Sequence, residues 1–285
     1  MRASRAEIVK HISRGMESLY SPQECIHIAR TVAAAKEGVD VTKYLIEPNE
    51  VIEINDIEQI SKQLAEGCPM QYIIGHTEFC GYQFCVGEGV LIPRPETEEL
   101  VLWADIQARA FSHPRILDIC TGSGCIAISL ARRIPNAEVY AIDLSEKSLA
   151  IATQNNTKLN AGVTLLHDDA LGELPSIAGR EFDIIISNPP YIPISERATM
   201  HRNVTEYEPE MALFVEDDNP LIFYRAIARH AQRYLQQDGF LLFEVHELLA
   251  YDTAAMLQEE GFKDIEVRED CFGKPRMICC RKRAK

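Results

Sequence analysis

Apolar residues in the first 70 positions recur at the spacing of amphipathic helices. The first helix is predicted by four of them: Ile8, Ile12, Met16 and Leu19. Ser21–Glu24 then combines a capping box with proline at the first helical position, which predicts a second helix that Gly38 ends. Asn55–Glu58 repeats the same capping pattern before a third helix. These segments predict a small helical bundle.

The pattern changes after residue 73. Residues 74–92 alternate and contain four glycines, which predicts a β-hairpin. From Glu96 onward short apolar runs alternate with helical patterns, as in a doubly wound α/β sheet whose site lies at the carboxyl ends of the strands. The predicted strands lie near 115–119, 138–143, 163–167, 182–187 and 240–245, and strands 265–270 and 276–281 are predicted to close the sheet as an antiparallel hairpin.

Candidate chemistry first appears where the apolar run Phe182–Ser187 ends in Asn188–Pro189–Pro190–Tyr191. Prolines hold the preceding residue extended, lack an N–H and keep their carbonyl acceptors. Asn188 adds an acceptor and Tyr191 a flat π face. Together these groups suit a planar –NH2 group that is held by its hydrogens and stacked. The alternative is an ordinary proline-rich turn.

A glycine turn, Cys120–Gly124, follows another predicted strand and precedes a helical pattern. Gly122 and Gly124 allow backbone to approach a ligand closely. Asp143 ends the next strand 19 residues after Gly124, near the offset of an acid that binds ribose hydroxyls. The dinucleotide fingerprint is incomplete and the Walker pattern is absent. A nucleoside without a pyrophosphate therefore fits best, and S-adenosylmethionine is the candidate.

Charge and composition narrow the partners. The net charge is −14, and the first 75 residues carry 8 Lys and Arg against 11 Asp and Glu. Tight nucleic-acid binding needs many cationic contacts to phosphate, so we expect no nucleic acid to be bound directly. An acidic surface favours the docking of a basic protein. No apolar run approaches the roughly 18 residues of a membrane span, and no secretory segment opens the chain, so no membrane association and a cytoplasmic location are expected.

The nine cysteines include no C-x-x-C pair, and no metal site is predicted. Four of them lie in apolar patterns and are expected to be small core residues: Cys120, Cys125, Cys279 and Cys280. Cys80 and Cys85 lie on either side of the predicted hairpin and are the only pair to test for a metal.

Taken together, these motifs resemble the release-factor glutamine N5-methyltransferases, the HemK/PrmC family of Rossmann-like class I methyltransferases. The resemblance covers roughly residues 70 to 280, and the most specific signal is the block Ile92-Pro-Arg-Pro-Glu-Thr-Glu. It also includes Gln71–Gly75, Asn188–Tyr191 and Glu208–Pro209. The chain departs from the family pattern at Cys120, where a glycine is usual, at Ala170, where an aromatic is commoner, and at His246.

The resemblance implies a set of site residues. Asn188, Pro189 and Tyr191 are the expected catalytic residues. The expected cofactor-binding residues are Asp118, Cys120, Thr121, Gly122, Ser123, Gly124, Asp143, Asp169, Ala170 and Asn188. The expected substrate-binding residues are Asn188, Pro189, Pro190, Tyr191, Arg94 and Glu208.

The implied activity is methyl transfer from S-adenosyl-L-methionine to the side-chain amide nitrogen of the glutamine in the Gly-Gly-Gln motif of class-1 peptide chain release factors, in translation termination. A ribosomal-protein glutamine methyltransferase is the nearest alternative. An N6-adenine DNA methyltransferase would need a basic recognition surface. A non-catalytic binding protein would have no need of Asn188–Tyr191, a motif that suits the binding of an –NH2 group.

The expected organisation has three parts. Residues 1–72 form a helical substrate-recognition domain, residues 73–95 a β-hairpin linker, and residues 96–285 the methyltransferase domain. A monomer is expected.

Overall fold

A computed structural model describes residues 1–283; Ala284 and Lys285, at the end of the predicted methyltransferase domain, lie outside the described residues. The helices are α1 (Arg5–Ser13), α2 (Pro22–Glu37), α3 (Lys43–Ile46), α4 (Ile57–Ala65), α5 (Met70–Ile74), α6 (Pro95–Ala108), α7 (Cys125–Arg133), α8 (Glu146–Leu159), α9 (Arg202–Thr205), α10 (Glu210–Leu213), α11 (Ile222–Tyr234) and α12 (Ala250–Glu259). The strands are β1 (Arg2–Ser4), β2 (Val51–Glu53), β3 (His76–Phe79), β4 (Tyr82–Cys85), β5 (Arg115–Ile119), β6 (Glu138–Asp143), β7 (Thr164–His167), β8 (Phe182–Ser187), β9 (Ile192–Pro193), β10 (Phe214–Val215), β11 (Leu235–Glu244), β12 (Phe262–Glu269) and β13 (Pro275–Lys282).

The chain divides into two compact units. The first comprises Met1–His76 with Met200–Tyr207, and the second comprises Thr77–Thr199 with Glu208–Lys285. The predicted domain ranges did not assign residues 200–207 to the N-terminal part, because no pattern in so short a segment indicates a distant partner. Within the first unit, His201 stacks on Tyr20 and the hydroxyl of Tyr207 donates to the carbonyl of Glu66.

Helices of the first unit enclose an apolar core that includes Ile8, Ile12 and Met16. The capping box before α2 is confirmed, since Ser21 and Glu24 bond each other's backbone N–H groups, and Gly38 ends the helix in a left-handed conformation. The cap expected before α4 is wrong. The N-cap residue of α4, Asp56, has a φ of +57°, and its side chain makes no capping hydrogen bond. A side chain caps a helix from an extended backbone, and a left-handed residue does not have that geometry. The antiparallel pair β1–β2 was not predicted.

In the second unit, the part of the chain that the structure describes forms a seven-stranded sheet in the order β12-β13-β11-β8-β5-β6-β7. Strands β11, β8, β5, β6 and β7 pair in parallel, and β13 is antiparallel to both β11 and β12. This architecture confirms the predicted doubly wound sheet and its antiparallel closing hairpin. The strand predicted at 240–245 is longer and begins at Leu235.

Alternation along the strands gives the sheet two apolar faces. Leu117 and Ile185 pack into one core with α11 and α12 residues, whereas Ile116 and Ile184 pack into another with α6 and α7 residues. Both faces are therefore covered by helices, as the near-continuous apolar strands require. The chain passes from β5 to β6 on one side and returns to β8 on the other. The strand order therefore changes direction between β5 and β8, and a crevice forms at the carboxyl ends of the strands at such a point.

The hairpin β3–β4 belongs to the region predicted as a linker. Cys80 and Gly81 both have positive φ, as a two-residue hairpin turn requires, and Phe79 packs edge-on against Phe84 at 5.9 Å between ring centroids. Asn155 on α8 joins this hairpin to the glycine turn. Its Nδ2 donates to the carbonyls of Cys85 and Ser123 at 3.0 and 2.9 Å.

Over residues 1–283, every helix is too short or too polar to cross a membrane.

Candidate active site

A cavity of about 310 Å³ lies at the carboxyl edge of the sheet, within the second unit. Its volume lies at the lower end of the roughly 300–1,000 Å³ typical of small-molecule sites. Most of the site residues expected from the sequence line it. These are Arg94, Cys120, Thr121, Gly122, Ser123, Asp143, Asp169, Ala170, Asn188 and Pro190. The others lie outside its wall: Asp118, Gly124, Pro189, Tyr191 and Glu208.

The glycine turn leaves β5 with three residues in left-handed conformations. Cys120, Gly122 and Gly124 have φ values of +63°, +56° and +79°. Glycine is favoured at position 124 by its positive φ, which strains any L side chain, and by the Cβ of Ala152 on α8, which would lie 3.3 Å from a Cβ added there. Cys120 was expected in the core; it packs against the core while partly buried and also lines the cavity, because the chain has already left the strand at this residue.

Asp118 supports this turn from beneath. Its carboxylate is fully buried, accepting from the hydroxyl of Thr121 at 2.5 Å and from the backbone N–H of Ala127 at 3.3 Å. One acceptor therefore joins the turn to the first helical turn of α7. Burial raises the pKa of Asp118 to about 7, and the two hydrogen bonds oppose that rise.

Asp143 ends β6 on the other side of the turn. Its two oxygens accept from the N–H groups of Gly122 and Ser145, each at 2.8 Å. A carboxylate has about four acceptor positions, so it retains capacity for the hydroxyl groups of a ligand. Burial raises the pKa of Asp143, and its backbone hydrogen bonds oppose that shift.

The wall beyond β7 is formed by Asp168–Leu171. Asp169 accepts from the N–H of Leu171 at 2.8 Å, and Asp168 accepts from Ser176. Ala170 is buried, and its carbonyl contacts the ring of His230 at 3.1 Å. Leu144 and Phe223 add apolar surface to the same cavity, which suits a flat heterocyclic base next to a polar edge.

Asn188 and Pro190 face the cavity directly after β8, whereas Pro189 is buried and Tyr191 half-buried behind them. Nδ2 of Asn188 donates to Oγ1 of Thr97 at 3.4 Å. The hydroxyl of Tyr191 donates to Oε1 of Glu244 at 3.0 Å. Burial and the neighbouring Glu244 carboxylate raise the pKa of Tyr191 well above its usual value, so the phenol keeps its proton.

Arg94 lines the cavity, and Glu208 holds it there. Glu208 is buried, and its oxygens accept from Arg94 at 2.5 Å and from the backbone N–H of Ile92 at 3.0 Å. Glu208 is therefore a support for the cavity wall, while Pro209, the next residue, lines the cavity itself.

The predicted metal candidates form no metal cluster. Throughout residues 1–283, no group of three or more His, Cys, Asp or Glu side chains is arranged to hold an ion. Cys80 and Cys85 are free thiols, and burial raises the pKa of Cys80 to about 11.

Sequence reasoning gave no role to Thr97, Asp168, Phe223 or Glu244. Asp168 and Glu244 carried a usable signal, since both are acids at or just after the carboxyl end of a parallel strand. Thr97 lay inside the most specific motif, but its partners are 91 and 147 residues away along the chain.

S-adenosylmethionine fits the donor and acceptor groups of the cavity. Among the described residues that line the cavity, Ser123 has a buried hydroxyl oxygen without a hydrogen-bond partner. The glycine turn offers backbone N–H groups, and Asp143 and Asp169 offer acceptors at two separate positions. Leu144 and Phe223 add apolar surface to the same cavity, which suits the heterocyclic base of a nucleoside.

Comparison with known proteins yields sequence relatives over most of the chain. A family model described as a methyltransferase domain matches residues 116–207. The release factor glutamine methyltransferase of Flavobacterium psychrophilum is 45% identical over 230 residues, or 80% of each chain. That of Bacteroides thetaiotaomicron is 40% identical over 275 residues, which are 95% of this chain and 98% of that protein.

Among solved structures, the fold is similar to that of a 16S rRNA methyltransferase from T. thermophilus in complex with AdoMet and guanosine. The TM-score is 0.51 at 19% identity, over 73% of this chain and 50% of that one. At this identity the similarity concerns the fold alone.

Proposed function

Because the chain belongs to the family of release factor glutamine methyltransferases, we propose that it transfers a methyl group from S-adenosylmethionine to the side-chain amide nitrogen of the glutamine in the Gly-Gly-Gln motif of class-1 peptide chain release factors. The observation that carries the proposal is the position of Asn188 at the cavity. Its Nδ2 is engaged by Thr97, so its Oδ1 remains available as an acceptor.

A glutamine amide is a weak nucleophile, since its nitrogen lone pair is delocalised into the carbonyl. Oδ1 of Asn188 and the carbonyl of Pro189 would accept the two amide hydrogens and orient the nitrogen. Tyr191 would stack on the amide plane and favour the positive charge that develops on it. As the bond between nitrogen and the methyl carbon forms, the bond between sulfur and that carbon would break, and the methylated amide would release one proton to solvent. Orientation and the exclusion of water supply the rate enhancement.

When bound, the cofactor supplies an electrophilic methyl group on its sulfonium. Asp143 would bind the ribose hydroxyls and Asp169 the adenine amino group. The turn Cys120–Gly124 would lie against the remainder of the cofactor, in a shape that Asp118 maintains. Arg94, supported by Glu208, and Pro190 would border the entry of the substrate loop.

We assign residues 1–72 to recognition of the protein substrate. This assignment is supported by the net negative charge of the first 75 residues, which suits a basic partner. The same charge disfavours direct nucleic-acid binding, and with it the adenine-methylating alternative. We further propose that the enzyme acts as a monomer in the cytoplasm.

The proposal is tested by incubating the purified protein with isotopically labelled cofactor and an intact release factor. Mass spectrometry of the digested factor should find one methyl group on the motif glutamine, and none on a factor whose glutamine is replaced by alanine. Transfer to a ribosomal-protein glutamine at a higher kcat/KM, or no transfer to either protein, would refute it.

A further inference from the structure

Four side chains from three segments of the second unit form one hydrogen-bonded chain beside the cavity. Nδ2 of Asn188 donates to Oγ1 of Thr97 at 3.4 Å, and the Thr97 hydroxyl donates to Oε2 of Glu244 at 2.6 Å. The hydroxyl of Tyr191 donates to Oε1 of the same carboxylate at 3.0 Å. Thr97 and Glu244 are 2% exposed each, so these hydrogen bonds are largely shielded from bulk water.

The direction of this chain follows from chemistry. An ionised carboxylate only accepts, so Thr97 has to donate its single hydroxyl proton to Glu244. Thr97 is then left with lone pairs, which select the NH2 end of the Asn188 amide. The oxygen end therefore faces away from Thr97, as an acceptor for the hydrogens of a substrate –NH2 group.

We propose that Thr97 and Glu244 are positioning residues that set which end of the Asn188 amide meets the substrate and at the same time anchor Tyr191 by its hydroxyl. This inference rests on the proposed glutamine-methylating function. It assigns a role to the threonine of the Ile92-Pro-Arg-Pro-Glu-Thr-Glu block. It also makes the buried Glu244 carboxylate the common support of Asn188 and Tyr191, the two side chains that would hold the substrate amide.

A neutral group at position 244 would remove this directionality. The amide NH2 of Glu244→Gln would donate to Thr97 or to Tyr191. If it donates to Thr97, the threonine hydroxyl is free to donate to Asn188, which then turns its oxygen away from the substrate. If it donates to Tyr191, the phenol loses its acceptor. Either arrangement weakens the hold of Asn188 or Tyr191 on the substrate amide without altering the cofactor-binding turn.

The kcat of the enzyme should depend on pH, because Glu244 accepts both hydrogen bonds only while it is ionised. Several groups face Glu244: Thr97 and Glu96 from α6, Tyr191 after β8, Tyr224 from α11 on its main-chain carbonyl, and Arg276 from β13. Burial raises the pKa of Glu244, whereas Thr97, Tyr191 and Arg276 oppose the shift. At saturating cofactor, kcat should fall as the pH is lowered through this raised pKa, and Glu244→Gln should lack that fall.

The main test compares Thr97→Val, which replaces the hydroxyl by a methyl group of similar size, with Thr97→Ser, which keeps the hydroxyl. In Thr97→Val we expect kcat for a release factor to fall by roughly 10²-fold, the cost of a misplaced reacting group. The cofactor Kd should change far less than kcat, because Thr97 lines the cavity but its hydroxyl bonds Asn188 and Glu244, whereas Asp143 and Asp169 are the residues assigned to the ribose and the adenine. Thr97→Ser should recover most of the lost kcat.

A matched control is Thr253→Val on α12. Thr253 is also fully buried, and its hydroxyl donates to the carbonyl of Leu249 within its own helix segment. This variant should retain wild-type kcat. Equal kcat losses in Thr97→Val and Thr253→Val, or a kcat of Thr97→Val within 2-fold of wild type, would overturn the inference.

The orientation of the amide can also be followed without turnover. The Asn188 side-chain NH2 resonances, assigned by their loss in Asn188→Ala, should exchange slowly with water in wild type and rapidly in Thr97→Val. Unchanged exchange would overturn the inference even if both proteins were active. An inactive wild-type enzyme with the expected exchange difference would instead refute the proposed function and leave the amide orientation standing.

Discussion

Cys120 occupies a backbone conformation that disfavours any side chain. Its φ of +63° lies in the left-handed region, which costs L-residues on the order of 1 kcal/mol. A glycine at this position would be free of that strain, and the chain turns sharply here because β5 ends at Ile119 and the cofactor loop begins. Cysteine is small enough to be tolerated here, and its side chain forms part of the cavity wall.

We therefore expect Cys120→Gly to change the free energy of unfolding by no more than about 1 kcal/mol, because relief of strain offsets the greater freedom of the unfolded chain. Cys120→Val should cost roughly 2 kcal/mol or more and weaken cofactor binding, since a β-branched residue is disfavoured at positive φ. Trp103 is the only tryptophan and lies in the second unit, so its fluorescence reports unfolding there.

The matched control is Cys280→Val, the same exchange at a buried position in the regular strand β13. It should cost less than Cys120→Val, because strand backbone favours valine. Equal costs at the two positions would contradict the role of backbone conformation.

At the scale of elements, the strand, turn and helix of β5 and α7 depend on one buried acid. Asp118 accepts from Thr121 in the turn and from Ala127 in the first turn of α7. Burial raises its pKa from the usual 3.8 to about 7. Between these values the folded chain binds more protons than the unfolded chain, so this residue makes stability fall as the pH rises from about 4 to about 7.

Asp118→Asn should remove that dependence. The free energy of unfolding of the variant minus that of wild type should rise with pH over this window, by at most about 1.4 kcal/mol per pH unit, and be constant above it. Asp238→Asn is the control, because Lys263 lowers the pKa of Asp238 and keeps it ionised over the same range. Unfolding is followed by Trp103 fluorescence. If the free energy of unfolding of Asp118→Asn differs from that of wild type by a constant amount from pH 4 to pH 7, the raised pKa of Asp118 is contradicted.

The elements themselves were largely predictable from the chain. The strands β5, β6 and β8 are apolar runs bounded by turn residues, and buried parallel strands have that composition whatever lies around them. Short elements such as β1 and β2 were missed, because three residues are too few to show an alternation of apolar and polar positions. The capping box at Ser21 was predictable because all its bonds are local, whereas Asp56 adopts a backbone conformation that its residue type does not specify.

The site was predictable only where a motif is contiguous. Asn188–Tyr191 and Cys120–Gly124 each lie on a single stretch of chain. The contacts of Thr97 with Glu244, and of Arg94 with Glu208, join residues 147 and 114 positions apart. Such pairs depend on strand order, which residue patterns alone do not determine.

At the scale of the whole molecule, the first unit exposes large apolar side chains beside acidic residues. Leu45 and Ile46 on α3 are 57% and 73% exposed, and Glu47 and Glu50 follow them in the chain. Exposed apolar groups rimmed by charge are typical of protein interaction sites. The assignment of substrate recognition to this unit therefore predicts that these side chains contact the release factor.

The double variant Leu45→Ser/Ile46→Ser should raise KM for an intact release factor by roughly 10-fold, as expected for the loss of one or two kcal/mol of apolar contact. Turnover of a short Gly-Gly-Gln peptide should not change, because the cavity lies in the other unit. Leu102→Ser/Ile106→Ser, at two exposed apolar positions on α6, is the control. An unchanged KM in the first variant, or an equal rise in the control, would remove α3 from the docking surface.

The central claim is that Asn188 orients a glutamine amide for methyl transfer. The most direct measurement is single-turnover transfer to an intact release factor by wild type and Asn188→Ala at saturating cofactor. Removing the acceptor leaves the Pro189 carbonyl to hold the amide by one hydrogen, so the rate should fall by roughly 10²-fold or more, while the cofactor Kd changes far less. A near-normal rate in Asn188→Ala, or methylation of a factor that lacks the motif glutamine, would contradict the account.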